Sequence, residues 1–92
     1  MKIQIFGKNE CVRCKITKSR INHLIKKMAL EDRIELSFLD MATAEGLAQG
    51  MYYEVFDIPT TIVKDDEKEV ARWDGKAPLT KEFEVLINGI YG

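Results

Sequence analysis

The chain has two cysteines, Cys11 and Cys14, with Val12 and Arg13 between them. Two thiols at this spacing, placed where a helix begins, lie side by side within one helical turn. That arrangement suits thiol–disulfide exchange. One thiolate attacks a disulfide, and the second releases the partner from the mixed disulfide so formed. The attacking sulfur must be ionised, and a free thiol of pKa ~8.5 is only about 3% thiolate at pH 7. A pKa near 7 gives about half. The gain in rate is smaller than that ratio, because nucleophilicity falls with pKa. A helix start supplies the correction: its first N–H groups have no partner within the helix, and its dipole favours negative charge. Arg13, Lys15 and Lys8 add to this and Glu10 opposes it. Cys11 is therefore expected to be the nucleophile and Cys14 the resolving thiol.

A close cysteine pair has other chemical uses. A structural zinc site usually takes four ligands. The chain offers two cysteines and one histidine, His23, nine residues beyond Cys14. Nine helical positions rise ~13.5 Å, too far for one ion. A metal or iron–sulfur site would need cysteines from two chains, and that remains the first alternative. The second is a module that binds partners without catalysis, its thiols serving as small apolar side chains. No resident metal or organic cofactor is expected; the dithiol itself carries the electrons.

Positioning the pair requires a strand that ends just before it and a helix that starts on it. Residues 2–7 alternate, with Ile3 and Ile5 on one face and Lys2 and Gln4 on the other, a strand closed by Gly7. From Cys14, apolar positions recur at Thr17, Ile21, Leu24, Ile25 and Met28, one helical stripe. Residues 33–41 alternate again. Residues 43–55 place Ala44, Leu47, Ala48, Met51 and Val55 at helical spacing, with Gly46 and Gly50 as costs to that helix. Residues 56–64 read as a turn and a β-branched strand, 64–68 as a charged turn, and 69–73 as its hairpin partner. Pro78, Leu79 and Thr80 open a last helix carrying Phe83, Leu86, Ile87 and Ile90, and Asn88-Gly89 is its expected stop. The order is βαβ-α-ββα, an α/β class.

The 92 residues suit a single domain, 1–92. Hydrophobic residues are 46% and charged residues 32%, a balance that argues against disorder. The net charge of −1 singles out no class of partner. Seven basic residues and one acid lie between Lys8 and Lys27, a run read as a solvated helix face rather than a steering patch. Nucleic-acid binding has no aromatic platform or motif behind it. No run approaches the ~18 apolar residues of a membrane helix. Lys8 and Glu10 stand where a signal peptide would have its apolar core, so a cytoplasmic monomer is expected, in a compartment where a close cysteine pair is catalytic or metal-binding more often than a staple.

The chain resembles the thioredoxin and glutaredoxin superfamily along nearly its whole length. Strand, C-x-x-C and helix come in that order near the start. "YEVFDIPT" (53–60) is similar to the thioredoxin pattern Y-x-[IV]-x-x-[IV]-P-T, through Tyr53, Val55, Ile58, Pro59 and Thr60. "EVARWDGKAP" resembles the last strand and turn of thioredoxins. The resemblance implies a thioredoxin fold, a four-stranded mixed sheet flanked by three helices, with a cis peptide before Pro59 facing the cysteines. It implies a thiol–disulfide oxidoreductase acting on protein disulfides, with Val12, Arg13, Ile58 and Pro59 shaping the substrate groove. Two departures bear on the electron donor. Lys8 matches a lysine that many glutaredoxins use for glutathione, but their Gly-Gly-x-Asp signature is replaced by "WDGKAP". A thioredoxin-reductase-type flavoenzyme is the expected reductant, and glutathione the second choice.

Overall fold

The structure, a computed structural model, describes residues 1–91. The elements are β1 (Lys2–Gly7), α1 (Val12–Lys27), β2 (Glu35–Asp40), α2 (Ala44–Tyr52), β3 (Thr60–Asp65), β4 (Lys68–Trp73) and α3 (Thr80–Tyr91). The sheet order is β2-β1-β3-β4. β1 pairs parallel with β2 and antiparallel with β3, and β3 pairs antiparallel with β4. This is the expected four-stranded mixed sheet with three helices.

The alternation in β1 divides the core in two. Ile3 and Ile5 face α1 and α3 and pack with Ile21, Leu24, Phe83 and Ile87. Phe6 faces the other way, toward α2, and packs with Val55 and Ile62. The α1 stripe behaves as its spacing predicts: Cys14, Thr17, Ile21, Leu24 and Ile25 are all buried. The helix then ends without glycine. Ala29 adopts a left-handed φ of 56°. The Leu30 N–H donates to the Ile25 carbonyl and the Ala29 N–H to the Lys26 carbonyl, each at 3.0 Å, a Schellman stop.

The second helix departs from the expected pattern in two ways. Leu47 and Met51, the large members of its apolar stripe, are exposed. Its buried residues are Gly46 and Gly50. The helix lies so close to the sheet that the side without side chains is the side that fits. A β-carbon at Gly50 would sit 2.5 Å from Met41 Cε, and one at Gly46 would strike the Asp40 carbonyl group. The helix also stops at Tyr52 instead of Val55. Glu54 turns left-handed at φ 55°, and the Val55 N–H donates back to the Gly50 carbonyl at 2.7 Å. That reversal drives Val55 into the core from outside the helix, which is how it satisfies the apolar pattern without extending it.

The expected stop of α3 at Asn88-Gly89 is also corrected, because the helix continues to Tyr91. Gly89 is exposed, with no atom within 4 Å of where a β-carbon would lie. The last turn is held by Tyr91, whose hydroxyl donates to the Arg33 carbonyl at 3.2 Å beneath the Arg33 guanidinium. That tertiary anchor outweighs the local stop signal. No helix among the described residues is long and apolar enough to cross a membrane.

Candidate functional site

The site forms at one end of the sheet, where β1 runs into α1. Cys11 is the N-cap of α1, extended at φ −80° and ψ 110°. Its sulfur accepts the Cys14 N–H at 3.1 Å. The nucleophile expected from sequence thus satisfies one of the helix's unpaired donors itself. Its own N–H donates to the Lys8 carbonyl at 3.1 Å, closing the turn that leads into the helix. Cys14 lies one turn further on and is fully buried, while Cys11 is half-buried at the surface. The two are joined as a disulfide, with Cα atoms 5.2 Å apart.

Gly7 explains how Cys14 fits under the helix. A β-carbon at Gly7 would lie 2.7 Å from Cys14 Sγ, 2.8 Å from Cys14 Cβ and 3.3 Å from the Phe38 ring. The strand end read from sequence is therefore also the seat of the second sulfur. The Gly7 carbonyl accepts the Met41 N–H at 2.7 Å, which fixes the path out of β2. Asp40 then organises the start of α2: its carboxylate accepts the Ala42 N–H at 2.9 Å and its carbonyl the Thr43 hydroxyl at 2.7 Å. Thr43 in turn caps the helix at the Gly46 N–H.

The Ile58-Pro59 bond is cis, as the resemblance implies. The Phe6–Thr60 pairing brings this bond to the same sheet end as Gly7 and the cysteines. Pro59 is buried and Ile58 half-buried. Val12 is exposed directly beside Cys11, and Lys8 is exposed at the turn before it. Arg13 is committed elsewhere: its guanidinium donates to the Gly75 carbonyl, joining the cysteine loop to the turn after β4. Gly75 has φ +70°, and a β-carbon there would come within 3.2 Å of Asp57 Cβ. Thr60 donates to the Asp57 carbonyl at 2.6 Å. The three loops at this end are thus tied together. His23 is exposed on α1. Among the described residues no group of three or more His, Cys, Asp or Glu side chains is arranged to hold a metal ion.

Arg72 escapes the sequence reading. It donates to the Tyr53 carbonyl at 2.6 Å, the Glu54 carbonyl at 2.8 Å and Asp74 Oδ1 at 2.8 Å. It therefore clamps the reversal after α2 that delivers the chain to Ile58-Pro59. Nothing in the spacing of "EVARW" marks it, because the acceptors are backbone carbonyls. Tyr53 is held from its other end, where Lys64 Nζ donates to its hydroxyl at 2.5 Å. That hydrogen bond raises the Lys64 pKa above its ordinary value, against the opposing effect of burial. Arg72→Met keeps the aliphatic stem and loses the three polar contacts. It is expected to destabilise the fold by about 1.5–3 kcal/mol, the worth of one charge-assisted bond. Urea unfolding of the variant against wild type checks this.

Residues 1–88 match the family model described as Thioredoxin domain. A search of the curated proteins gives no match. Among solved structures, thioredoxin 1 from Thermosipho africanus is similar at 23% identity and TM-score 0.77, covering all of both chains. Thioredoxin from Fasciola hepatica is similar at 25% identity and TM-score 0.73, covering 95% of this chain and 78% of that one. Thioredoxin O2 from Arabidopsis thaliana, in its oxidised state, is similar at 14% identity and TM-score 0.77, covering 99% and 75%. With the family model spanning nearly the whole sequence and a C-x-x-C pair at disulfide distance on the matching fold, the chain belongs to the thioredoxin domain family.

Proposed function

We propose that this chain is a thiol–disulfide oxidoreductase that reduces protein disulfides, with Cys11 as nucleophile and Cys14 as resolving thiol. The observation that carries the reading is the asymmetry of the pair. Cys11 stands at the helix N-cap with its sulfur accepting a backbone N–H, and Cys14 is fully buried behind it. The Cys11 thiolate attacks a substrate sulfur, forming a mixed disulfide and releasing one substrate thiolate. Cys14, as thiolate, then attacks Cys11 Sγ. The Cys11–Cys14 disulfide forms and the second substrate thiolate leaves, so two electrons pass from protein to substrate. Val12, Ile58 and Pro59 provide an apolar rim for the partner chain, and Arg13 braces it. Acceleration of insulin reduction by dithiothreitol tests the reading; a rate equal to dithiothreitol alone would leave a non-catalytic binding module.

The oxidised product needs a reductant, and the reading favours a thioredoxin-reductase-type flavoenzyme over glutathione. Lys8 is free to meet the glycine carboxylate of glutathione, and the backbone at Ile58 its cysteinyl unit. The γ-glutamyl end needs an acid beside a helix N-terminus, and the nearby acid, Asp74, already accepts from Arg72. Losing charge-assisted bonds worth ~1.5–3 kcal/mol each weakens binding about 10- to 100-fold. Glutathione-coupled turnover is therefore expected to be poor, and turnover with a thioredoxin reductase better. Efficient glutathione turnover that collapses in Lys8→Ala reverses the assignment. A monomer working in the cytoplasm completes the proposal.

A further inference from the structure

The resolving step asks a buried sulfur to carry charge. Cys14 has no exposed surface, and no carboxylate or histidine is buried among the described residues. Burial in apolar surroundings opposes a thiolate, so the step needs a polar group beside it. The buried polar side chains are Thr17, Thr60, Thr61 and Lys64. Three are committed: Thr17 donates to the Arg13 carbonyl, Thr60 to the Asp57 carbonyl and Lys64 to the Tyr53 hydroxyl. Thr61 is fully buried, and its hydroxyl has no hydrogen-bond partner. An unpaired buried hydroxyl destabilises a fold, so its position calls for a reason.

That position is on the Cys14 side of the sheet. Thr61 pairs with Ile5 on β1 and with Trp73 on β4, and both of those side chains belong to the core beneath α1 and α3. Gly7, against which Cys14 Sγ rests, is the next β1 residue on that same face. Lys64 belongs to the opposite face, where it meets Tyr53. Lys18, one turn beyond Cys14 on α1, has its ammonium 5.1 Å from the centre of the Phe38 ring, and Arg13, next to Cys14 in the chain, is held by the Gly75 carbonyl.

Resting on the proposed exchange reaction, we infer that the Thr61 hydroxyl is a positioning residue for Cys14, donating a hydrogen bond to its sulfur, directly or through one water, once the disulfide has opened. In the mixed disulfide Cys14 gives up its proton, which ends on the departing thiolate or in water. The Thr61 O–H then supports the Cys14 thiolate while it attacks Cys11 Sγ. In the disulfide form the hydroxyl has no partner, so it is free to turn toward the sulfur once the bond opens.

An aromatic disulfide with a coloured thiolate leaving group separates the steps. The first equivalent of colour reports attack by Cys11, and the second reports resolution by Cys14. Thr61→Val, which matches the shape and lacks the hydroxyl, is expected to leave the first release unchanged. It should slow the second about tenfold and raise its pH midpoint by about one unit, with Thr61→Ser close to wild type. The Cys14 titration read in the Cys11→Ser background by alkylation rate should move by the same unit. A second release and a Cys14 titration unchanged in Thr61→Val overturn the inference. A first release that locates to Cys14 by mass spectrometry overturns the underlying assignment of Cys11 instead.

Discussion

Cys11→Ser is expected to bring disulfide reduction down to background, a loss of about a thousandfold or more, because a serine hydroxyl does not ionise near neutral pH. The fold should survive. Serine is among the best N-cap residues, and its oxygen can take the Cys14 N–H that the sulfur takes now. Thermal unfolding of the variant should therefore match that of the reduced wild-type protein, which separates lost chemistry from lost structure. Cys14→Ser should behave differently. It keeps the attacking sulfur and removes the release step, so a substrate stays attached through a mixed disulfide at Cys11. Non-reducing gels and mass spectrometry read this directly. Trapping in Cys11→Ser rather than in Cys14→Ser would invert the assigned roles.

Two glycine-to-alanine exchanges in helices should move stability in opposite directions. In an exposed helix interior the exchange stabilises by roughly 1 kcal/mol. Gly89 is exposed in the last turn of α3, with open space where its β-carbon would lie, so Gly89→Ala should gain up to about that amount. At Gly46 the added carbon would lie 2.6 Å from the Asp40 carbonyl carbon, against the carbonyl oxygen itself, and 3.0 Å from Thr43 Oγ1. The obstacle is backbone, fixed by the hydrogen bonds that start α2, so the helix must lift from the sheet. Gly46→Ala should therefore lose about 3 kcal/mol, the upper part of the usual overpacking range. Urea unfolding of both variants measures the contrast. A Gly46→Ala protein as stable as wild type would mean that the close approach of α2 is wrong.

That contrast also marks where the sequence was legible. Period-two alternation in Lys2–Gly7 and the three-and-four stripe from Cys14 to Met28 report burial directly, and both elements lie where their patterns place them. The C-x-x-C pair and the Ile-Pro-Thr segment were readable for a different reason, since backbone conformation and residue type are tightly coupled there. α2 misled because a helix pressed against a sheet buries its smallest residues, so the apolar period follows the exposed face. The end of α2 was hidden because Glu54 takes a left-handed conformation usually given to glycine. Arg72 and Thr61 were invisible for a related reason. One acts on carbonyls that every residue carries, and the other is defined by the partner it lacks.

The complete burial of Cys14 also bears on how the protein wears out. Irreversible oxidation of cysteine to sulfinic and sulfonic acids needs thiolate character together with access for the oxidant. Cys14 is shut away from solvent, so irreversible oxidation of the cysteines has one point of entry, the Cys11 sulfur. In the disulfide form that sulfur is bonded to Cys14 and is no longer a thiolate. The working lifetime of a molecule under oxidative stress is then governed by the fraction of time it spends reduced. A cell that keeps the pool charged for rapid use also shortens the life of each copy.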